Sequence, residues 1–251
     1  MTFRNLIAAL GVLSLSSAGA MAADMPLKAP APLPPPAASW TGFYIGVNGG
    51  ASWATAANSV NLGGLGLGGA ATLPLYSQGL NGFLGGGQIG YNYQAGNFLV
   101  GVEGDGDWSN IKGTTPCLVV FSCTANMQWT ADATVRAGVL PLNNLLVYVK
   151  GGASWTSVKY NFTDGGLLAP LSLTSNQSET KVGGLLGFGT EYMFAPHWTA
   201  KIEYNYVDYG NHTDNHTLTL AAPGLGAASI NIPVQSSLTA STMKAGINYL
   251  F

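Results

Sequence analysis

Thr242-Met243-Lys244-Ala245-Gly246-Ile247-Asn248-Tyr249-Leu250-Phe251 closes the sequence, and its apolar residues return at every second position. Met243, Ala245, Ile247 and Tyr249 fall on one side, while Thr242, Lys244, Gly246, Asn248 and Leu250, mostly small or polar, fall on the other. A period of two belongs to a β-strand with one apolar and one wet face. The aromatic residue at the very end is expected to lie at a membrane interface, where it would also be read by the barrel-assembly machinery.

Seven earlier segments repeat the alternation, at 43–53, 83–93, 98–108, 128–139, 145–155, 181–192 and 198–206. In the first, Phe43, Ile45 and Val47 alternate with Tyr44, Gly46 and Asn48; in the fifth, Val147, Val149 and Ala153 alternate with Tyr148, Lys150 and Ser154. The links between segments also alternate. Residues 94–97, 141–144 and 195–197 are tight turns, whereas 55–81, 109–127, 156–180 and 208–236 are long. Short periplasmic turns, long outer loops and an even strand count are the habit of bacterial outer-membrane barrels. The expected fold is therefore all-β: an eight-stranded antiparallel transmembrane β-barrel with short periplasmic turns and four long outer loops.

Composition agrees. Charged residues make up only 8% of the chain, against about a quarter in ordinary soluble proteins. Between Ala29 and Val102 there is no charged residue, yet Gly, Asn, Ser and Gln interrupt the run too often for an apolar helix. Only helices and closed barrels satisfy their backbone in lipid, so a barrel remains. Arg4, the apolar run Leu6–Leu15 and Ala20-Met21-Ala22 read as a signal peptide over 1–22. Residues 23–39, rich in Pro and Ala, read as an extended periplasmic linker with possible cell-wall contact, and 40–251 as the barrel. With a net charge of −2 and no basic face, a nucleic-acid partner is excluded.

The charges sort by face. Glu103, Asp105, Asp107, Asp132, Glu191 and Glu203 point inward with Arg136, Lys150, Lys181, Lys201 and Lys244, and none of the lipid stripes carries a charge. An eight-stranded barrel is only wide enough for its own side chains, so an internal network of ion pairs and hydrogen bonds is expected. A narrow solute pore lined by the same charges is the alternative, because many inward positions are glycine. Aromatics band at two heights: Trp53, Trp108, Trp129 and Trp155 at the outer rim, and Phe43, Tyr93, Phe98, Tyr192, Trp198 and Phe251 at the inner rim. Phe43 to Trp53 covers ten residues, about 25 Å at the usual rise and tilt, which is the apolar height of such barrels.

Few motifs point to chemistry. Cys117 and Cys123 are six apart in an exported chain and are expected to form a disulfide. His212 and His216, four apart on the last outer loop, are a weak candidate pair for a metal or haem iron, with solvated loop polars as the plainer reading. Gly64-Leu65-Gly66-Leu67-Gly68-Gly69 matches a dinucleotide fingerprint in letters only, since it opens no helix. No serine stands beside either histidine in an obvious dyad, so neither catalysis nor a cofactor is expected.

The run Trp40-Thr41-Gly42-Phe43-Tyr44-Ile45-Gly46-Val47-Asn48-Gly49-Gly50, the segment Gly86–Tyr93, Val102-Glu103-Gly104-Asp105, Lys201–Gly210 and the final Lys244–Phe251 resemble the opacity-type outer-membrane barrels of alphaproteobacteria. These are small major surface proteins of rhizobia, brucellae and bartonellae. The resemblance implies an abundant cell-surface barrel, set among outer-membrane lipid and lipopolysaccharide, that supports envelope integrity and host contact. Some relatives are reported as haemin binders or called porins. The neutral glycine-rich first loop and the cysteine pair stand outside the family's common pattern.

Overall fold

A computed structural model describes residues 39–61, 72–117, 121–164, 172–222 and 226–251. The expected signal peptide and all but the last residue of the expected linker lie outside the described residues.

Eight strands follow one another: β1 (Gly42–Asn61), β2 (Thr72–Ala95), β3 (Phe98–Cys117), β4 (Phe121–Leu142), β5 (Leu145–Asp164), β6 (Ser172–Ala195), β7 (Trp198–Ala222) and β8 (Gly226–Leu250). Each pairs antiparallel with its neighbour, and β1 pairs with β8 from Tyr44↔Leu250 to Val60↔Val234, so the sheet closes. Closure leaves no edge whose N–H and C=O groups would meet hydrocarbon unpaired.

At one end, two-residue turns join β2 to β3, β4 to β5 and β6 to β7. Gly96 takes φ 62° in the first and His197 φ 68° in the third. A non-glycine residue in that left-handed region needs support. His197 has it: its carbonyl accepts from the Leu250 amide at 2.7 Å, and its Nδ1 lies 2.8 Å from the Leu250 carbonyl.

At the other end the structure departs from expectation. The connections at 55–81, 109–127, 156–180 and 208–236 are for the most part barrel wall, because the strands run 20 to 25 residues and continue well past the outer tryptophans. The physical reason is an inversion of pattern. Below the tryptophans apolar residues face outward; above them Ala54, Ala56, Leu80, Ile111, Met127, Val158 and Leu238 face inward, and the outer surface turns polar. A strand that stands in water rather than lipid has no outward apolar stripe to read. Bulges at Trp108/Ile111, Met127/Trp129 and Asp208/Asn211 lie near this changeover, where an extra residue re-aims the side chains beyond it.

Within the bilayer band the described outward residues are apolar or small, and Val135 is 63% exposed on that face. Val135→Arg is expected to cost about 2–4 kcal/mol of folding free energy in lipid vesicles, whereas Ser122→Arg, above the band, changes it little; urea titration followed by heat-modifiable gel migration measures both.

Candidate functional site: the barrel lumen

The interior is layered. Nearest the short turns lies an apolar plug of Trp40, Tyr44, Leu99, Leu140, Leu146, Tyr148, Met193 and Leu250. Trp40 is 0% exposed; its indole N–H donates to the Asn143 carbonyl at 3.0 Å, and its backbone N–H to Gln94 Oε1 at 3.0 Å. Two inward glycines make room for the tyrosine rings. Tyr44 sits opposite Gly90 and Tyr148 opposite Gly189, and a Cβ on either glycine would collide with the facing phenol. What looked in the sequence like empty volume is filled from the neighbouring strand.

Above the plug the charges meet. Glu103 lies 3.0 Å from Lys150, 3.1 Å from Lys201 and 3.6 Å from Arg136, and accepts from the Tyr44 hydroxyl at 2.8 Å. Glu203 lies 2.9 Å from Lys150 and 3.2 Å from Lys201, and accepts from Tyr148 at 3.0 Å and Asn205 at 2.9 Å. Glu191 pairs with Arg136 at 3.1 Å and accepts from Thr199 and Asn248. The Arg136 guanidinium lies over the faces of Tyr44 and Tyr148, 4.6 and 5.3 Å from their centroids, so it is held by aromatic faces as well as by acids. Three carboxylates and three cations thus form one balanced group.

A second group is less balanced. Lys244 reaches Asp105, Asp107 at 2.6 Å and Asp132 at 3.5 Å, and Lys150 adds a 4.0 Å contact to Asp105. A relay of amides runs from β1 to the first group: Asn48 donates to Gln88, Gln88 to Asn248 and Asn248 to Glu191 over 2.6 to 2.7 Å. Over Lys244, Asp132 and Asn205 lies a cavity of about 20 Å³ that Leu84, Ile111, Met127 and Leu185 roof, room for about one water. The apolar cluster of the projecting wall then continues upward and includes Tyr160 and Tyr209.

Ten of the eleven charged residues expected inside come together in this belt. The other, Lys181, also points inward but sits higher, 3.4 Å from Glu179 and 6.0 Å from the Tyr160 ring centroid. Phe43, Tyr93, Phe98, Tyr192, Trp198 and Phe251 face outward at the turn end, and Trp53, Trp108, Trp129 and Trp155 face outward at the changeover. Trp108 and Trp129 are register partners. Cys123 is disulfide-bonded; the side chain of Cys117, its expected partner, lies outside the described residues. His212 is exposed, with Nε2 2.8 Å from the Tyr209 carbonyl. The His216 side chain and the run Gly64–Gly69 lie outside the described residues, among which no group of three His, Cys, Asp or Glu side chains is arranged to hold a metal ion.

The alternation places Tyr44, Asn48, Gln88, Tyr148 and Asn248 on the inward face without giving their partners, and Trp40 lies outside it altogether. One signal existed for the tyrosines: an inward tyrosine facing an inward glycine across the register.

The belt sits in a low-dielectric interior where removing one partner strands the other, at a cost of about 3–5 kcal/mol. Lys244→Met is therefore expected to lower the unfolding free energy in vesicles by about that much, and Asp105→Asn in the same chain to restore part of it; the urea midpoint of the gel-shifted form reads both.

The chain is similar in sequence to known outer-membrane proteins. The family model described as outer membrane protein beta-barrel domain matches residues 8–223. The 31 kDa outer-membrane immunogenic protein of Brucella melitensis is 29% identical over 261 aligned residues, covering 96% of this chain and 97% of that protein. The 22 kDa outer membrane protein of Rhizobium leguminosarum bv. viciae is 29% identical over 69% of this chain and 66% of its own length. Among solved structures, the outer membrane protein OprG from Pseudomonas aeruginosa overlaps 84% of this chain and 97% of its own with TM-score 0.42 and 14% identity. The chain is an outer-membrane protein and belongs to the outer membrane protein beta-barrel domain family.

Proposed function

We propose that this protein is a structural and surface-interaction barrel: it reinforces the outer membrane and presents its projecting hairpins to host or environment, without catalysis and without passing solutes. The observation that carries this reading is the filled interior. Apolar layers lie above and below the charged belt, and the largest side chains of both are fully buried, Trp40, Tyr44 and Tyr148 below, and Leu80, Met127 and Tyr209 above. An ion crossing the axis would have to displace both layers as well as break paired charges. Contact with host or cell wall, and recognition of β8 by the barrel-assembly machinery, belong to the same reading.

Rigidity supports it too. A wall whose interior is crosslinked by buried ion pairs resists gating, and the projecting wall carries its own apolar core.

Planar bilayers test the sealed lumen. Wild type is expected to show no steady single-channel conductance; openings whose size responds to Lys150→Ala or Glu103→Ala would make the protein a pore instead. Haemin titration addresses the histidines, with affinity expected to be unchanged between wild type and His212→Ala/His216→Ala.

A further inference from the structure

Two cations are left once the lumen is accounted for. Of the nine Lys and Arg residues, Arg4 and Lys28 precede the barrel, five point into it, and the remaining two are Lys112 and Lys159. They stand on β3 and β5. The register places Asn126 of β4 directly between them, since Lys112 pairs with Asn126 and Asn126 with Lys159. Their chain neighbours Ile111, Ala125 and Val158 fill the interior, so the row Lys112, Asn126, Lys159 lies on the outside of the wall. With strands about 4.8 Å apart, the two lysine backbones stand about 10 Å apart with an amide between them. Among the described residues neither lysine meets a carboxylate, and the Asn126 side-chain oxygen is covered without a partner.

The same three strands carry Trp108, Trp129 and Trp155 just below, facing outward. Lys159 is four residues beyond Trp155, about 10 Å farther from the membrane centre at the usual rise and tilt. Tryptophan belts mark the interface, so the lysines stand at the height of charged headgroups. Farther down, the lipid-facing positions lose their bulk. Gly104, Ala133 and Gly151 floor an apolar furrow of about 580 Å³ walled by Ile89, Val102 and Val135.

We propose that this face of β3, β4 and β5 is a binding site for lipid A, the acylated anionic glycolipid of the outer leaflet. Lys112 and Lys159 take the anionic groups at the two ends of its disaccharide, Asn126 donates between them, Trp108 and Trp129 lie against the sugar, and an acyl chain follows the furrow. Two separated cations match a headgroup charged at both ends, whereas a phospholipid offers a single phosphate. The inference rests on the outer-membrane placement but not on whether the lumen conducts.

Lipid retention by the purified full chain tests it, with native mass spectrometry in detergent supplemented with lipid A or with phosphatidylglycerol. Wild type is expected to retain lipid A at least tenfold more than phosphatidylglycerol, and Lys112→Gln/Lys159→Gln to lose that preference while keeping heat-modifiable migration, since both side chains lie outside the lumen. Gly104→Leu/Gly151→Leu fills the furrow; a Cβ at either glycine meets nothing closer than 3.4 Å. That variant is expected to weaken retention of lipid A but not binding of the soluble deacylated disaccharide. Equal retention of the two lipids by wild type, or unchanged retention by the double lysine variant, overturns the site; a deacylated disaccharide that binds wild type as tightly as lipid A overturns the role of the furrow.

Discussion

A peptide group has no partner in hydrocarbon except another peptide group, and the ladder between β1 and β8 is where this chain meets that constraint. Once Tyr44 pairs with Leu250 and the ladder runs to Val60, the parity of every strand is fixed around the ring. One face must suit acyl chains and the other must suit whatever the ring encloses. The segregation of Val135, Val149 and Ile202 from Arg136, Lys150 and Lys201 follows from closure, since a slip of one residue would exchange the two faces.

What the ring encloses is determined by its bore. Eight strands leave space for side chains and little else, so the described interior is packed with side chains. The polar belt at mid-height is tolerable because each charge meets an opposite charge, and Glu103, Glu191 and Glu203 also accept from hydroxyl or amide donors. The Asp105, Asp107, Asp132 and Lys244 group is the less compensated part, with one oxygen on each aspartate lacking a hydrogen bond. It also borders the small cavity, so any water held in the lumen has its natural place there.

Much of this was legible in the sequence. Strand number, closure, the inward set of charges and the two aromatic heights all follow from a period of two, because in lipid the contrast between faces is as large as side chains allow. The outer connections were read as loops because contrast falls away there. Ala54, Ala56 and Ala125 are weak apolar signals, and the bulge beside Trp129 shifts the phase of β4 just where polarity changes sign. Pairings inside the lumen were illegible for another reason. Which acid meets which base depends on register and strand stagger, so Tyr44 reaching Glu103, fifty-nine residues away, has no trace in local spacing. Trp40 illustrates the same limit: it precedes the first strand, yet it closes the lower end through Asn143 and Gln94.

The change of sign at the tryptophans divides the molecule into two solvent regimes along one continuous pleat. Beneath it, a detergent or lipid must supply the apolar surroundings; above it, the wall is organised like a small water-soluble β-barrel, greasy within and hydrophilic without. An amphiphile chosen to extract the protein therefore has to wrap only the lower collar, and a short-chain micelle sized to that collar leaves the upper stem uncovered for crystal lattice contacts or antibody fragments.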